Sequence, residues 1–207
     1  MAPPPRPTVE VRDLRREELP QAVAVLSRGM RDNPLHIAAF GADAGRRRRL
    51  LERQFAALFG VMTYQTPIGA VQDGTIVGVA GIAPAGTCQP TARQRLRFLP
   101  TVARTGPRTM ARMAGWIGTW AKRDPDEPHS HLGPLGVDAH LQGRGIGTQI
   151  LAEYTRRLDQ AGTLGYLETD KAENVRLYER HGFAVVGEEP VLGVPNWYMR
   201  REPGAGG

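Results

Sequence analysis

Residues 135–147 read LGVDAHLQGRGIG, and TQILAEYTRRLDQ follows directly. A strand-like apolar run thus passes through a polar turn and glycines at 143, 145 and 147 into a helical pattern, which leaves few architectures open. Glycine carries no Cβ, so successive backbone N–H groups can turn toward one anion. A helix starting there leaves its first N–H groups free and adds a positive dipole end. Three anion-binding patterns compete. A P-loop needs GxxxxGK[ST], and no lysine stands at that place. A dinucleotide fingerprint needs GxGxxG; here Thr148 and Gln149 break the third spacing, although Glu168 follows about twenty residues later. The third pattern, Q/R-x-x-G-x-G/A, is met by Gln142, Gly145 and Gly147, and a pyrophosphate suits such a nest. Arg144 either adds a charged contact or points to solvent. On composition alone a plain strand–helix turn also stays open.

The rest of the chain reads as mixed α/β. Residues 8–14 alternate as a strand, and REELPQAVAVLSRGM turns to helical spacing until Asp32-Asn33-Pro34 stops it. A second helix is predicted over 46–62. Residues 68–72 and 75–82 flank Asp73-Gly74, a hairpin signal. Helices are predicted within 94–103 and from Pro107, where Met110, Met113, Ile117 and Trp120 fall on one face with Trp116 close by. That stripe is either core or the wall of a substrate pocket. HSHLGPLGV (129–137) is a strand, in which Pro134 removes a ladder donor and predicts an edge, a bulge or a splay. A helix over 145–160, a strand over 164–169, a short helix over 174–181 with Asn174 at its N-cap side and Gly182 past its end, and strands over 183–187 and 197–201 complete the order. The strand–helix–strand run around 131–169 favours a parallel pair. One domain over 8–201 with disordered tails at 1–7 and 202–207 is expected.

Composition narrows the function. Of 207 residues 41% are hydrophobic, enough for a core, and no run approaches a membrane span. MAPPPRP has no apolar signal region, so a cytoplasmic protein is the expectation. Cys88 is the single cysteine, which rules out an internal disulfide and leaves a cysteine-based zinc site without an evident ligand set; His129 and His131 alone argue weakly for metal, and none is expected. The net charge of +6 is carried almost wholly by arginine. The run at Arg46–Arg49 reads as a solvated helix face or an anion-contacting edge, and no nucleic-acid motif accompanies it.

LGPLGVDAHLQGRGIG, then YLETDKAENVRLYERHGF, then WYMRR together resemble the GCN5-related N-acetyltransferase superfamily, and within it the puromycin N-acetyltransferase type. The likeness is strongest over 131–201; weaker matches cover the first strand, the helix ending in MRDNP and the RRRRLLERQF helix. It implies a central mixed sheet flanked by helices, with a splayed pair of parallel strands that receives acetyl-CoA. It also implies a small-molecule amine as acceptor, with neither nucleic acid nor membrane as partner and a monomer or homodimer as the assembly. A protein or peptide acetyltransferase and a non-catalytic acyl-CoA-binding module are the alternatives.

Residue by residue, the resemblance implies that the backbone of Leu135, Gly136 and Val137 holds the acetyl carbonyl and pantetheine arm. Gln142, Gly143, Arg144, Gly145, Ile146, Gly147 and Thr148 would form the pyrophosphate cradle. Tyr178 matches the tyrosine that protonates the departing thiolate. The asparagine usual seven residues before it is replaced by Lys171; Asn174, one turn from Tyr178, either contacts the donor or caps the helix. The incoming ammonium must lose a proton. His131, four residues before Leu135 and so expected on the same side of the strand, competes with Glu168 and with water for that role. Trp116 and Trp120 are candidates for the acceptor pocket.

Overall fold

The computed structural model describes residues 9–61 and 67–204. Seven strands form one sheet: β1 (Glu10–Asp13), β2 (Ile68–Gln72), β3 (Thr75–Ala83), β4 (His129–Val137), β5 (Leu164–Thr169), β6 (Ala184–Glu188) and β7 (Trp197–Arg201). Their order is β1-β2-β3-β4-β5-β7-β6, and only β4 and β5 run parallel. The β2–β3 turn has positive φ at both Asp73 and Gly74, the two-residue conformation that matches strand twist. Seven α-helices join the strands among the described residues: α1 (Leu19–Gly29), α2 (Pro34–Phe40), α3 (Ala44–Val61), α4 (Ala92–Ala103), α5 (Pro107–Ala121), α6 (Ile146–Ala161) and α7 (Ala172–Glu179).

The sheet has a core on each face. Helix α6 turns Ile146, Ile150, Leu151, Tyr154 and Leu158 inward, a stripe with helical spacing, onto Ile68, Ala70, Val77, Ala80 and Leu132. Burying each such aliphatic side chain contributes about 1.5–3 kcal/mol. On the other face, α1 and α3 bring Val25, Leu26, Leu51 and Phe55 against Val71 and Val79. Gly29 ends α1 so near β4 that a Cβ there would collide with the Val137 carbonyl. No described helix is long and apolar enough to cross a membrane.

Several expectations change. The arginine run is a solvated face only at Arg48 and Arg49: Arg47 is buried, its guanidinium donating to the carbonyls of Arg31, Gly41 and Ala42 and pairing with Asp32. Arg46 donates to the Phe40 and Thr105 carbonyls. These forks tie α3 to the turns around α2 and to the α4–α5 joint. The inward face of α5 carries Thr109, Met113, Trp116 and Trp120, whereas Met110 and Ile117 are exposed. Helix α7 begins two residues before Asn174, with Lys171 at the N-cap. Residues 202–204 are not a loose tail, because Gly204 N–H donates to Asp159 at 2.7 Å. Thr8 of the first predicted strand, Met62 of the second predicted helix and residues 1–7 and 205–207 of the predicted tails lie outside the described residues.

Candidate active site

The parallel pairing of β4 with β5 runs from His129–Leu164 through Ser130–Gly165 to His131–Tyr166 and stops there, although both strands continue. On its other edge β4 carries a bulge: Ala83 and Ile82 oppose His131 and Leu132, but Ala80 opposes Leu135. Three steps on β4 thus match two on β3, and Gly133-Pro134 occupies the extra step. Pro134 therefore marks both a bulge and a splay in a central strand.

The bulge overturns one expectation. Without it, His131 and Leu135 share a side of the strand. With it, Leu132 and Leu135 both pack into the α6 core, and His131 is turned to the opposite face. Both still border the opening between the strands.

Two cavities meet in that opening. The larger, about 440 Å³, is a groove lined by Gly29, by Leu135, Gly136 and Val137, by Gln142, Gly143, Gly145, Gly147 and Thr148, and by the first turns of α7. Gly143 and Gly145 hold φ of 76° and 82°, a region side chains resist, and an added Cβ on Gly147 would meet nothing nearer than 3.8 Å. Gln142 braces this loop, its amide donating to the carbonyls of Gly29 at 2.9 Å and Val137 at 3.1 Å. The Ile146 side chain is buried in the core, so only its backbone is free to serve the groove. Arg144 is exposed and outside the groove lining; Lys171 and Arg180, at opposite ends of α7, are the cationic side chains that line it. The open glycine cradle and these two cations suit an elongated phosphorylated group such as coenzyme A.

The smaller cavity, about 210 Å³, is walled by aromatic and acidic side chains. Trp116 and Trp120 meet edge to face at 5.2 Å, and His36 lies 5.5 Å from Trp116. Trp120 Nε1 donates to the buried Asn196 at 3.2 Å; the buried Trp116 Nε1 has no hydrogen-bond partner among the described residues. Burial holds the His36 imidazole below its ordinary pKa, and its Nδ1 lies 2.7 Å from the Met30 carbonyl. Glu168 and Asp170 supply carboxylates, Asp170 accepting the Leu35 N–H at the start of α2 at 2.7 Å.

His131 Nε2 lies 2.8 Å from Glu168 Oε2. Burial opposes a charge on His131, yet Glu168 and Asp124 outweigh it and raise its pKa well above the ordinary value. Tyr178, Asn174, Leu135, Met30 and Asn33 line both cavities. Tyr178 is buried with its ring against Phe183, and burial raises its pKa, so the phenol stays protonated at neutral pH. Asn174 is not the N-cap; its amide faces Thr169 Oγ1 at 3.5 Å.

The fold thus gathers Tyr178, Glu168, His131, Leu135, Asn174, Trp116 and Trp120 around one opening. Reading from the sequence missed Gly29, Met30, Asn33, His36, Phe55, Asp170 and Arg180, which reach it from α1, α2, α3 and α7. Only Asn33-Pro34 left a local trace, as a helix stop. The fold also supplies Cys88 with neighbours the sequence did not suggest: Asp124, His129 and His131.

A sequence model described as the acetyltransferase (GNAT) family matches residues 34–183. Among solved structures, a histone acetyltransferase HPA2 and related acetyltransferase from Corynebacterium glutamicum superposes with a TM-score of 0.69 at 19% identity, covering 94% of this chain and 96% of that one. A polyamine N-acetyltransferase from Drosophila melanogaster gives 0.62 at 16% identity over 94% and 100%. A GNAT family acetyltransferase from Brucella melitensis, solved with acetyl-CoA, gives 0.53 at 15% over 94% and 88%. The family match spans well over half of the chain and agrees with the splayed strands and glycine cradle. The chain therefore belongs to the GNAT acetyltransferase family, and is an acyltransferase that uses acetyl-CoA.

Proposed function

We propose that the enzyme acetylates the free amine of a compact, cationic small molecule, as the puromycin type of the family does. The observation that carries this reading is the junction of the two cavities at Leu135 and Tyr178, with Glu168 inside the smaller one. A cavity of about 210 Å³ suits a small amine better than a folded protein surface. Its carboxylates favour an ammonium group, and its tryptophan faces add cation–π attraction. The unpartnered Trp116 Nε1 offers a donor to a polar atom of the acceptor.

Bound acetyl-CoA supplies an activated acetyl thioester. In this proposal the groove glycines and the α6 N-terminus hold its phosphates, with Lys171 and Arg180 adding charge. The Leu135 N–H donates to the thioester oxygen as negative charge develops there. Glu168 takes the ammonium proton and frees the amine lone pair. His131 suits that role less, because its Nε2 is already engaged with Glu168; it orients Glu168 through that 2.8 Å contact. Tyr178 gives its hydroxyl proton to the leaving sulfur, and the proton that the acylated nitrogen then sheds returns to the phenolate. Holding amine and thioester in line supplies much of the gain without any covalent enzyme adduct.

The test is thiol release from acetyl-CoA over a panel of diamines, aminonucleosides, amino sugars and peptides. The proposal expects saturable turnover with at least one small amine and none with protein. Turnover confined to peptides would replace it with a protein acetyltransferase. CoA binding without turnover on any amine would favour an acyl-CoA-binding module.

A further inference from the structure

We propose that Cys88, Asp124, His129 and His131 bind a zinc ion that clips the root of the α4–α5 excursion to the sheet. Cys88 lies in the connection leaving β3, Asp124 in the connection entering β4, and the two histidines on β4 two residues apart, on one face. One ligand atom from each residue falls within 4.8 Å of all the others. Cys88 Sγ is 3.2 Å from Asp124 Oδ2 and 3.5 Å from His129 Nε2. Asp124 Oδ1 is 3.1 Å from His129 Nε2 and 3.5 Å from His131 Nδ1. With Zn–N and Zn–O near 2.0 Å and Zn–S near 2.3 Å, the corners of a tetrahedral site lie roughly 3.3–3.5 Å apart. Four of the six edges, counting either Asp124 oxygen, are 3.1–3.5 Å, and the other two are within 4.8 Å.

The outer contacts aim the ligands inward. His129 Nδ1 lies 2.8 Å from the Glu127 carbonyl, so its N–H belongs there and Nε2 turns to the cluster. His131 Nε2 lies 2.8 Å from Glu168, which leaves Nδ1 as the ligating atom. That Nδ1 is buried without a hydrogen-bond partner among the described residues. Gln89 donates to Asp124 Oδ2 at 2.6 Å and fixes the carboxylate. A carbonyl or carboxylate behind each ligating imidazole is the usual support of a zinc site. One thiolate, two imidazoles and one carboxylate select zinc over magnesium or calcium, and four protein ligands leave no open position, as in a structural site. The ion would join two points 36 residues apart in sequence, at the base of the segment that walls the acceptor cavity. It would also lock His131 as a donor to Glu168. The inference stands apart from the proposed reaction, because its readout is bound metal.

Full-length protein is purified without chelator and its zinc measured by mass spectrometry. A stripped sample is then titrated with Zn2+ against a chromophoric chelator. One zinc per chain is expected, lost in Cys88→Ser and Asp124→Asn, and bound about tenfold more weakly in Gln89→Ala, where only an outer support is removed. Should a ligand variant misfold, Co2+ in the stripped wild type decides: four-coordinate ligation with a thiolate gives intense visible bands and a sulfur-to-cobalt charge-transfer band. Folded wild type that takes up neither ion, or zinc retained equally in both ligand variants, overturns the site.

Discussion

The two cavities that meet at Tyr178 recognise in different ways. The donor groove is rich in glycine, with Gly29, Gly136, Gly143, Gly145 and Gly147 among its lining beside the end of β4 and the start of α6. The acceptor cavity is bounded by side chains from six separate elements, with Trp116, Trp120, Glu168 and Asp170 prominent. Backbone amides suit a partner that never changes, since substitutions leave them in place. Side chains suit a partner that differs between relatives, since each can be replaced without rebuilding the frame. Under the proposed function, specificity belongs to α5 and the ends of β4 and β5, and donor binding to the turn before α6.

The sharpest break in this comparison falls on the residue shared by both sides. Tyr178→Phe should lower kcat about 10²-fold or more while CoA affinity stays close to wild type, since the ring and its packing on Phe183 survive. Unchanged single-turnover rates would remove Tyr178 as the proton donor. Next, Gly145→Val places a β-branched residue at φ 82°. Strain of about 1–3 kcal/mol should distort the cradle and weaken CoA binding roughly tenfold or more, with acceptor KM little changed. Calorimetry giving equal CoA affinity would move the donor site elsewhere. On the other side, Trp116→Phe removes an indole N–H that bonds to nothing among the described residues. Acceptor KM should rise a few-fold, about 1 kcal/mol, with acetyl-CoA KM and melting temperature nearly constant. A fall in melting temperature with unchanged acceptor kinetics would make Trp116 a core residue only.

The smallest effect concerns the frame of the groove. Arg28, one residue from the end of α1, pairs with Asp138, just past β4, and holds the Asp138 carboxyl below the usual carboxylate range. The folded-state pKa lies below the unfolded one, so this stabilisation is complete above about pH 4 and is lost as pH falls through the depressed value. Arg28 is partly exposed, so solvent screening keeps the contribution to at most about 1 kcal/mol. Asp138→Asn should therefore lower the melting temperature slightly above about pH 4, leave it unchanged at pH below the depressed value, and so flatten the acid limb. An unaltered acid limb would assign the pair no weight.

The same contrast explains what could be read without coordinates. The donor turn is contiguous, so its glycines, the following helix and the Pro134 disturbance were all legible in order, as was the Asp73-Gly74 hairpin. The acceptor cavity draws on Met30, His36, Phe55, Glu168 and Asp170, which only the sheet order brings together. The inward face of α5 was misphased because exposed Met110 and Ile117 are as apolar as Met113 and Trp116. Hydrophobicity alone cannot say which stripe finds a neighbour. Arg47 was assigned to solvent because nothing local announces that four acceptors converge on it. Cys88 was set aside because its three neighbours lie 36 or more positions away.

The extra residue in β4 has a consequence for how this enzyme can change. A strand is a two-stroke device, and the bulge at Gly133-Pro134 slips its phase by one stroke. Residues before the slip address one face and residues after it keep a different beat, so the stretch around His131 and the stretch around Leu135 can be tuned separately. Substitutions on either side leave the phase intact. Deleting one residue between 132 and 135 would restore strict alternation, with Leu132 and Leu135 still on the α6 face at ordinary two-residue spacing, and would remove the irregularity that accompanies the splay from β5. Variation in this chain should therefore accumulate by exchange at these positions, while length there stays fixed.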